Sequence, residues 1–247
     1  MGRGRGEDIP NDALYFRRSS FSGLLIWGRL QESLVLAGSG DFDRLRDLLM
    51  KKYQIVYADP PWSYNDKLSS VSKGDFRFRG AGSVYPTQSK EWIEGLPIKD
   101  IADNNAVLFL WAVSPLLPEA FGVMEAWGFK YKTLAFCWVK ETPLFNSVKN
   151  LGRWTMGGVE LCLLGTKGKP KRARNNIRQV CHEIRTTHSK KPDEIRKRIV
   201  ELMGDVPRVE LFAREKHDGW DVFGNEVESD IDLMEPTNDL QKTERVC

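Results

Sequence analysis

Histidine and cysteine are scarce in this sequence, with three of the one and four of the other among 247 residues. Cys137, Cys162, Cys181 and Cys247 stand far apart and form no Cys-x-x-Cys pair. That spacing supports neither a zinc cage nor a disulfide framework, and it points to a reducing, cytoplasmic setting. Long apolar runs are lacking too: the stretch at 107–113 is far shorter than the roughly 20 residues of a membrane-spanning helix. Residues 1–12, MGRGRGEDIPND, have no apolar segment or cleavage site behind them, so they read as a flexible arm rather than a signal peptide. Net charge is only +3, yet it is unevenly spread. Between residues 167 and 198, twelve Lys/Arg face three acids, whereas 226–247 holds seven acids and two bases. A segment suited to a polyanion is thus followed by an acidic, solvated tail. The remaining composition, 41% apolar and 29% charged, is that of an ordinary globular chain.

Strand and helix signals alternate after about residue 41. Residues 41–52, DFDRLRDLLMKK, place Phe42, Leu45, Leu48 and Leu49 on one helical face. YQIVYA at 53–58 reads as a short buried strand, and 106–112, AVLFLWA, as a strand covered on both faces. A helix is expected over 116–128, and strands over 130–140, 158–168 and 206–213. Near 190–204, Pro192 suits a first helical position and Gly204 a helix stop, with Ile195, Ile199, Leu202 and Met203 as the apolar stripe. This alternation predicts a three-layer α/β domain over 41–227, with a mostly parallel sheet. Residues 1–40 form an arm and a segment without clear pattern, and 228–247 a disordered tail.

One stretch stands apart: VYADPPWSYN, residues 56–65. Two prolines remove two backbone donors and fix φ, so they end a central strand. In an α/β sheet, ligands bind beyond the carboxyl ends of strands, where this stretch falls. The exocyclic amine of adenine is a poor nucleophile, because its lone pair is delocalised into the ring. Two acceptors aimed at its N–H groups would orient that nitrogen toward an electrophile and stabilise the charge developing on it. The Asp59 carboxylate and the Pro60 carbonyl can supply them. Pro61 stiffens the turn, and Trp62 and Tyr64 offer faces on which a flipped base could stack. The plain alternative is a strand-ending turn with a packing tryptophan.

Asp59-Pro60-Pro61-Trp62 resembles the catalytic motif of the adenine-N6 methyltransferases named for the seventy-kilodalton subunit of the mRNA enzyme. The likeness runs over about 53–226: LFLWAV, FCWVK and GVELCLLGTKGKP resemble the family's next strands. THSKKPDEI is similar to its Lys-Pro-Asp-Glu segment, and VELFAREKHDGWDVFGNE to its closing block, in a form closer to bacterial or phage members. The resemblance implies a Rossmann-like class I methyltransferase fold, with S-adenosylmethionine as methyl donor and no metal. It matches Lys191 to the lysine that pairs with the cofactor's carboxylate, at a helix entrance where an anion is favoured. Arg214, Asn225, Glu226 and, by looser spacing, His217 match cofactor contacts, beside Asp59. Trp138, Lys140 and Glu160 match positions around the target nucleoside, although alone they would read as a core aromatic and cross-strand charges. The family's eukaryotic members draw on an acidic segment before the catalytic strand, for which LLMKKYQ has no counterpart.

Residues 167–178 hold six cations and no acid. Lys167, Lys169, Lys171, Arg172 and Arg174 are expected beside the adenine clamp, tracking phosphates; a solvated loop is the alternative. DNA is favoured over RNA as substrate. With no zinc finger and no large insert, target choice is left to short loops, the arm, a homodimer partner or a second subunit.

Overall fold

The computed structural model describes residues 51–63, 87–144, 148, 154–184 and 190–233. The N-terminal arm, most of the expected 41–52 helix, Tyr64 and the tail beyond 233 lie outside the described residues. Strand β1 (Tyr53–Ala58) is central, hydrogen-bonded in parallel to β2 (Ala102–Ala112) on one side and β6 (Arg208–Leu211) on the other. With β3 (Lys130–Glu141), β4 (Val159–Lys167), β5 (Val180–Ile184) and β7 (Asp221–Phe223) it forms one sheet, ordered β5-β3-β4-β2-β1-β6-β7.

The period-two alternation of β1 and β2 splits the core into two layers. Ile55, Tyr57, Val107, Phe109 and Trp111 face helix α4 (Asp193–Met203), which buries Ile195, Ile199 and Met203 against them. Val56, Ala58, Leu108 and Leu110 face α1 (Lys90–Gly95), α2 (Ile98–Ile101) and α3 (Leu117–Ala126). Each fully buried aliphatic or aromatic side chain contributes about 1.5–3 kcal/mol, so both faces of the central strands are required. This is the expected three-layer, Rossmann-like arrangement.

Three details differ from the sequence reading. Pro192 is the residue before α4 rather than its first helical residue, in extended conformation with φ −60° and ψ 131°. Strand β6 stops at Leu211, because Phe212 takes φ 61°. Residues 228–233 do not leave the domain: Leu233 is buried, and Asp230 accepts from Val222 N at 3.1 Å. The sheet is mostly parallel, as expected, and the direction the sequence left open is that of β4, antiparallel to both β2 and β3 in an otherwise parallel sheet. Its first residues therefore lie at the carboxyl edge of the other strands, and its last residue, Lys167, at the opposite edge, facing Ala106. No helix among the described residues is long and apolar enough to cross a membrane.

Gly168 reverses the chain after β4 at φ +63°, where an added Cβ would collide with the Asn104 carbonyl. Gly168→Ala is expected to cost about 1–3 kcal/mol. In a chain of this size each kcal/mol lowers the melting midpoint by about 2–4 °C. A thermal melt indistinguishable from wild type would show that the turn relaxes freely.

Candidate active site at the carboxyl edge

Beyond Ala58 the chain turns sharply. Trp62 N donates to Pro60 O at 2.8 Å, closing a three-residue turn about Pro61. The ring-fixed φ of proline suits that inverse γ-turn. Pro61 O accepts from Gln88 N at 2.8 Å, and Ser63 N donates to Gln88 O at 3.2 Å, so the turn is stitched to the strand-like residue ahead of α1. The Pro60 carbonyl keeps a second lone pair for another donor. Trp62 is not a displayed stacking face. It is buried with Val56, Ala58 and Leu110, and its indole N–H donates to Trp111 O at 3.0 Å. An apolar ring with one donor is best satisfied in the core, where it locks the motif to β2.

Four charged side chains converge beside the turn. Lys191 Nζ lies 2.6 Å from Asp59 Oδ2 and 3.2 Å from Glu160 Oε2. Glu160 also pairs with Lys140. Lys191 sits over the Trp111 ring, 5.4 Å from its centroid, and Trp111 Nε1 donates to Tyr57 OH at 2.7 Å. Burial pushes the Asp59 carboxyl upward, with Lys191 offsetting part of that and Glu160 adding to it. Burial also acts on Glu160, but the Lys191 and Lys140 ammoniums outweigh it and hold this carboxyl below its usual range. Burial alone would lower Lys191; its two carboxylate partners hold it above the ordinary lysine value. Lys191 was expected to face a ligand carboxylate. In the structure it bridges two of the protein's own carboxylates and fixes one oxygen of Asp59.

The same edge carries the ends of β6 and β7. Arg214 Nε donates to Glu226 Oε2 at 3.1 Å, with both side chains about half exposed, and Asn225 stands beside Glu226. The route there is strained: a positive φ is costly for a bulky residue, and Phe212 is held in it by rings packed at 6.4 Å (Trp92) and 6.5 Å (Phe223). Gly224 passes so close to the Ala213 carbonyl that no side chain would fit. His217 has its Nε2 3.4 Å from Glu215 Oε1, in a cluster with Asp193. Lys190 holds Glu215 and Arg196 holds Asp193, each at 2.6 Å, so cations of the chain already neutralise those acids.

Two other expectations are corrected. Trp138 does not line an open pocket: it is buried in the layer under α4, and its N–H donates to Glu183 O at 3.1 Å. Only its neighbour Lys140, over the ring at 5.1 Å, joins the charged cluster. The basic segment does not stand next to Asp59. Lys167 donates to Lys99 O and Ala102 O at the opposite edge, and Lys169, Lys171, Arg172 and Arg174 follow it there. Lys167 stands seven residue steps after Glu160 along the strand, which at 3.3 Å per step is about 23 Å. The reason is the antiparallel β4, which sends its two ends to opposite edges.

Residues that gave no sequence signal complete the site. Arg196 grips Glu210 with two bonds of 2.7 and 2.6 Å and lies over Tyr57, tying α4 to the strands beneath Trp111. Gln88 is buried against the turn, and its Nε2 has no hydrogen-bond partner among the described residues.

Comparison with known proteins extends this description. The family model described as MT-A70 matches residues 53–226. The chain is 36% identical over 190 residues to the Type II methyltransferase M.MunI of a Mycoplasma species, covering 72% of this chain and 78% of that protein. It is 28% identical over 194 residues to the human N(6)-adenosine-methyltransferase catalytic subunit METTL3, covering 76% of this chain and 30% of that one. An Arabidopsis thaliana N(6)-adenosine-methyltransferase MT-A70-like protein is 28% identical over 192 residues, with 25% of its length covered. The chain therefore spans only about a quarter to a third of these two eukaryotic relatives.

Proposed function

We propose that this chain, which belongs to the MT-A70 family, methylates the N6 amine of adenine within a polynucleotide. Family membership implies catalysis that depends on S-adenosylmethionine, which supplies an electrophilic methyl group on a sulfonium. The observation that carries the reading is Asp59, held at 2.6 Å by Lys191 at the carboxyl end of the central strand, beside a pinned Pro-Pro turn. With Oδ2 committed to Lys191, Oδ1 remains to accept one N–H of the amine, and the free lone pair of Pro60 O the other. Both acceptors are fixed before substrate arrives, which is what makes such dipoles effective.

The residues at this edge fit the cofactor's polar parts. Lys191, cationic and ahead of a helix N-terminus, suits its carboxylate. Asn225 and Glu226 suit the ribose hydroxyls, with Arg214 steadying Glu226. Lys140 and Glu160 border the place for the target nucleoside.

For the polynucleotide itself, the relatives named for adenosine, a ribonucleoside, are the more numerous and support RNA. DNA is supported by the length match to M.MunI, a relative not named for adenosine, of which 78% is covered. Incubating the protein with methyl-labelled S-adenosylmethionine and matched DNA and RNA oligonucleotides, then digesting to nucleosides, decides the matter. Label in N6-methyladenosine supports RNA, and in N6-methyldeoxyadenosine DNA. Label on any other atom overturns the reading.

A further inference from the structure

Residues 168–179 have no regular secondary structure, yet their backbone is pinned along its length. Lys169 N donates to Asn105 Oδ1 at 2.8 Å, and Ala173 N and Arg174 N to Leu202 O at 2.7 and 3.2 Å. At the far end, Gln179 O accepts from Cys137 N at 3.0 Å, and Gln179 Nε2 donates to Leu134 O at 2.6 Å. The anchors hold the polypeptide and leave the cations outward: Lys169, Lys171, Arg172, Arg174 and Arg178 are all exposed. None of the five forms a salt bridge among the described residues. The nearby acid Asp205 is taken by Arg208 at 2.6 Å.

The positive surface continues onto β3. Strand β5 pairs only with Cys137–Glu141 of β3, so Lys130 and Lys132 lie on a half-strand that β5 does not cover, and both are exposed. Lys130 is registered opposite Thr166, one residue before Lys167. Crowding like charges on a rigid segment raises the local potential and costs stability unless a polyanion neutralises it. Holding them in place beforehand reduces the ordering cost of binding one.

We propose that this face, at the sheet edge opposite Asp59, binds the phosphates of the same polynucleotide whose adenine is methylated, several nucleotides away from the target. The inference rests on the proposed nucleic-acid substrate. It adds a second, remote contact whose reach follows from the fold. About 23 Å along β4, at 3.4 Å per nucleotide of one strand, is roughly seven nucleotides. Helix α4 runs the same way: from Asp193, two residues after Lys191, to Leu202 beneath Ala173 is about 14 Å at 1.5 Å per residue. Short substrates would engage only the catalytic edge, and longer ones both.

The test uses the full chain and the variant Lys171→Ala/Arg172→Ala/Arg174→Ala. A fluorescent 24-mer duplex DNA and a 24-mer single-stranded RNA are titrated at several salt concentrations. The variant is expected to bind more weakly and to flatten the log–log salt slope by up to about 2.7 units on duplex, roughly 0.9 per lost phosphate contact. Parallel lines of equal affinity, or no salt-dependent binding by wild type, would overturn the proposal. Methylation is then compared on substrates with about three or about twelve nucleotides flanking the target adenine, lengths bracketing the reach of roughly seven. The advantage of long over short substrate in kcat/KM should shrink toward one in the variant. An equal loss on both lengths would place the segment at the catalytic edge and overturn it as well. Should wild type methylate nothing, the catalytic reading fails, while the salt titration still decides this one.

Discussion

Asp59→Asn is expected to lose about 10²–10³-fold in methyl transfer while keeping its fold, the range found when one preorganised polar contact to a developing charge is removed. The substitution is nearly isosteric, and the side chain is 29% exposed, so little core volume is at stake. What changes is polarity. Lys191, 2.6 Å away, would keep the amide oxygen as its acceptor and so turn the amide NH₂ toward the incoming amine. Donor would then meet donor where an acceptor is needed. Lys191 keeps Glu160 at 3.2 Å as an anionic partner, while the cluster gains one net positive charge. Turnover with labelled cofactor, alongside a thermal melt, checks both halves. An asparagine variant within about threefold of wild type, against the loss expected for such a contact, would remove Asp59 from the chemistry.

Lys191→Ala is expected to be the most destabilising change at this edge: deleting one partner of a fully buried ion pair costs about 3–5 kcal/mol, and the partial exposure of Asp59 puts this one at or below the lower end. Glu160 would retain Lys140, but Asp59 would be left with burial and the Glu160 charge, both of which raise its pKa. The sign of the pH effect follows. A carboxyl whose folded pKa lies above the unfolded value of about 3.9 binds more protons when folded, so the state containing it gains stability as pH falls. Wild type shows this weakly, because Lys191 offsets the burial. Glu160 works in the opposite direction, but only below about pH 4.3, since its folded pKa is depressed. Between pH 7.5 and pH 5 the gap in melting midpoint between variant and wild type should therefore narrow. A gap that stays constant or widens would show that Asp59 is not the orphaned group. Calorimetry should also find weaker S-adenosylmethionine binding, since the variant lacks the cation assigned to its carboxylate.

Local order was readable wherever a residue type has few structural options. Two prolines after YQIVYA had to end a central strand, and they do. Ile195, Ile199 and Met203 at helical spacing had to face a core, and they bury against the sheet. The charged candidates came together for the same reason: Asp59, Lys191 and Glu160 belong to segments that end or begin at strand and helix termini, where an α/β sheet gathers its polar groups. The tryptophans were less legible. Trp62 and Trp138 carry one donor on a large apolar ring, a pattern equally suited to a stacking platform and to a core, and only the neighbours decide. Arg196, Glu210 and Gln88 gave no signal, because a charged or amide side chain on a helix or strand reads as solvent-facing until its partner is known.

By itself, then, the sequence determined the strand-ending turn after Asp59, the apolar stripe of α4, the α/β alternation and the clustering of cations at 167–178. Those features depend on residues within a turn or two of each other. Tertiary structure alone decided which edge each feature occupies. Strand direction is not a property of a strand's own residues: β4 reads the same whether it runs parallel or antiparallel to β2. Its reversal brings Glu160 to Lys191 and carries Lys167 to the other end of the sheet, because one extended segment cannot place both its termini at one edge.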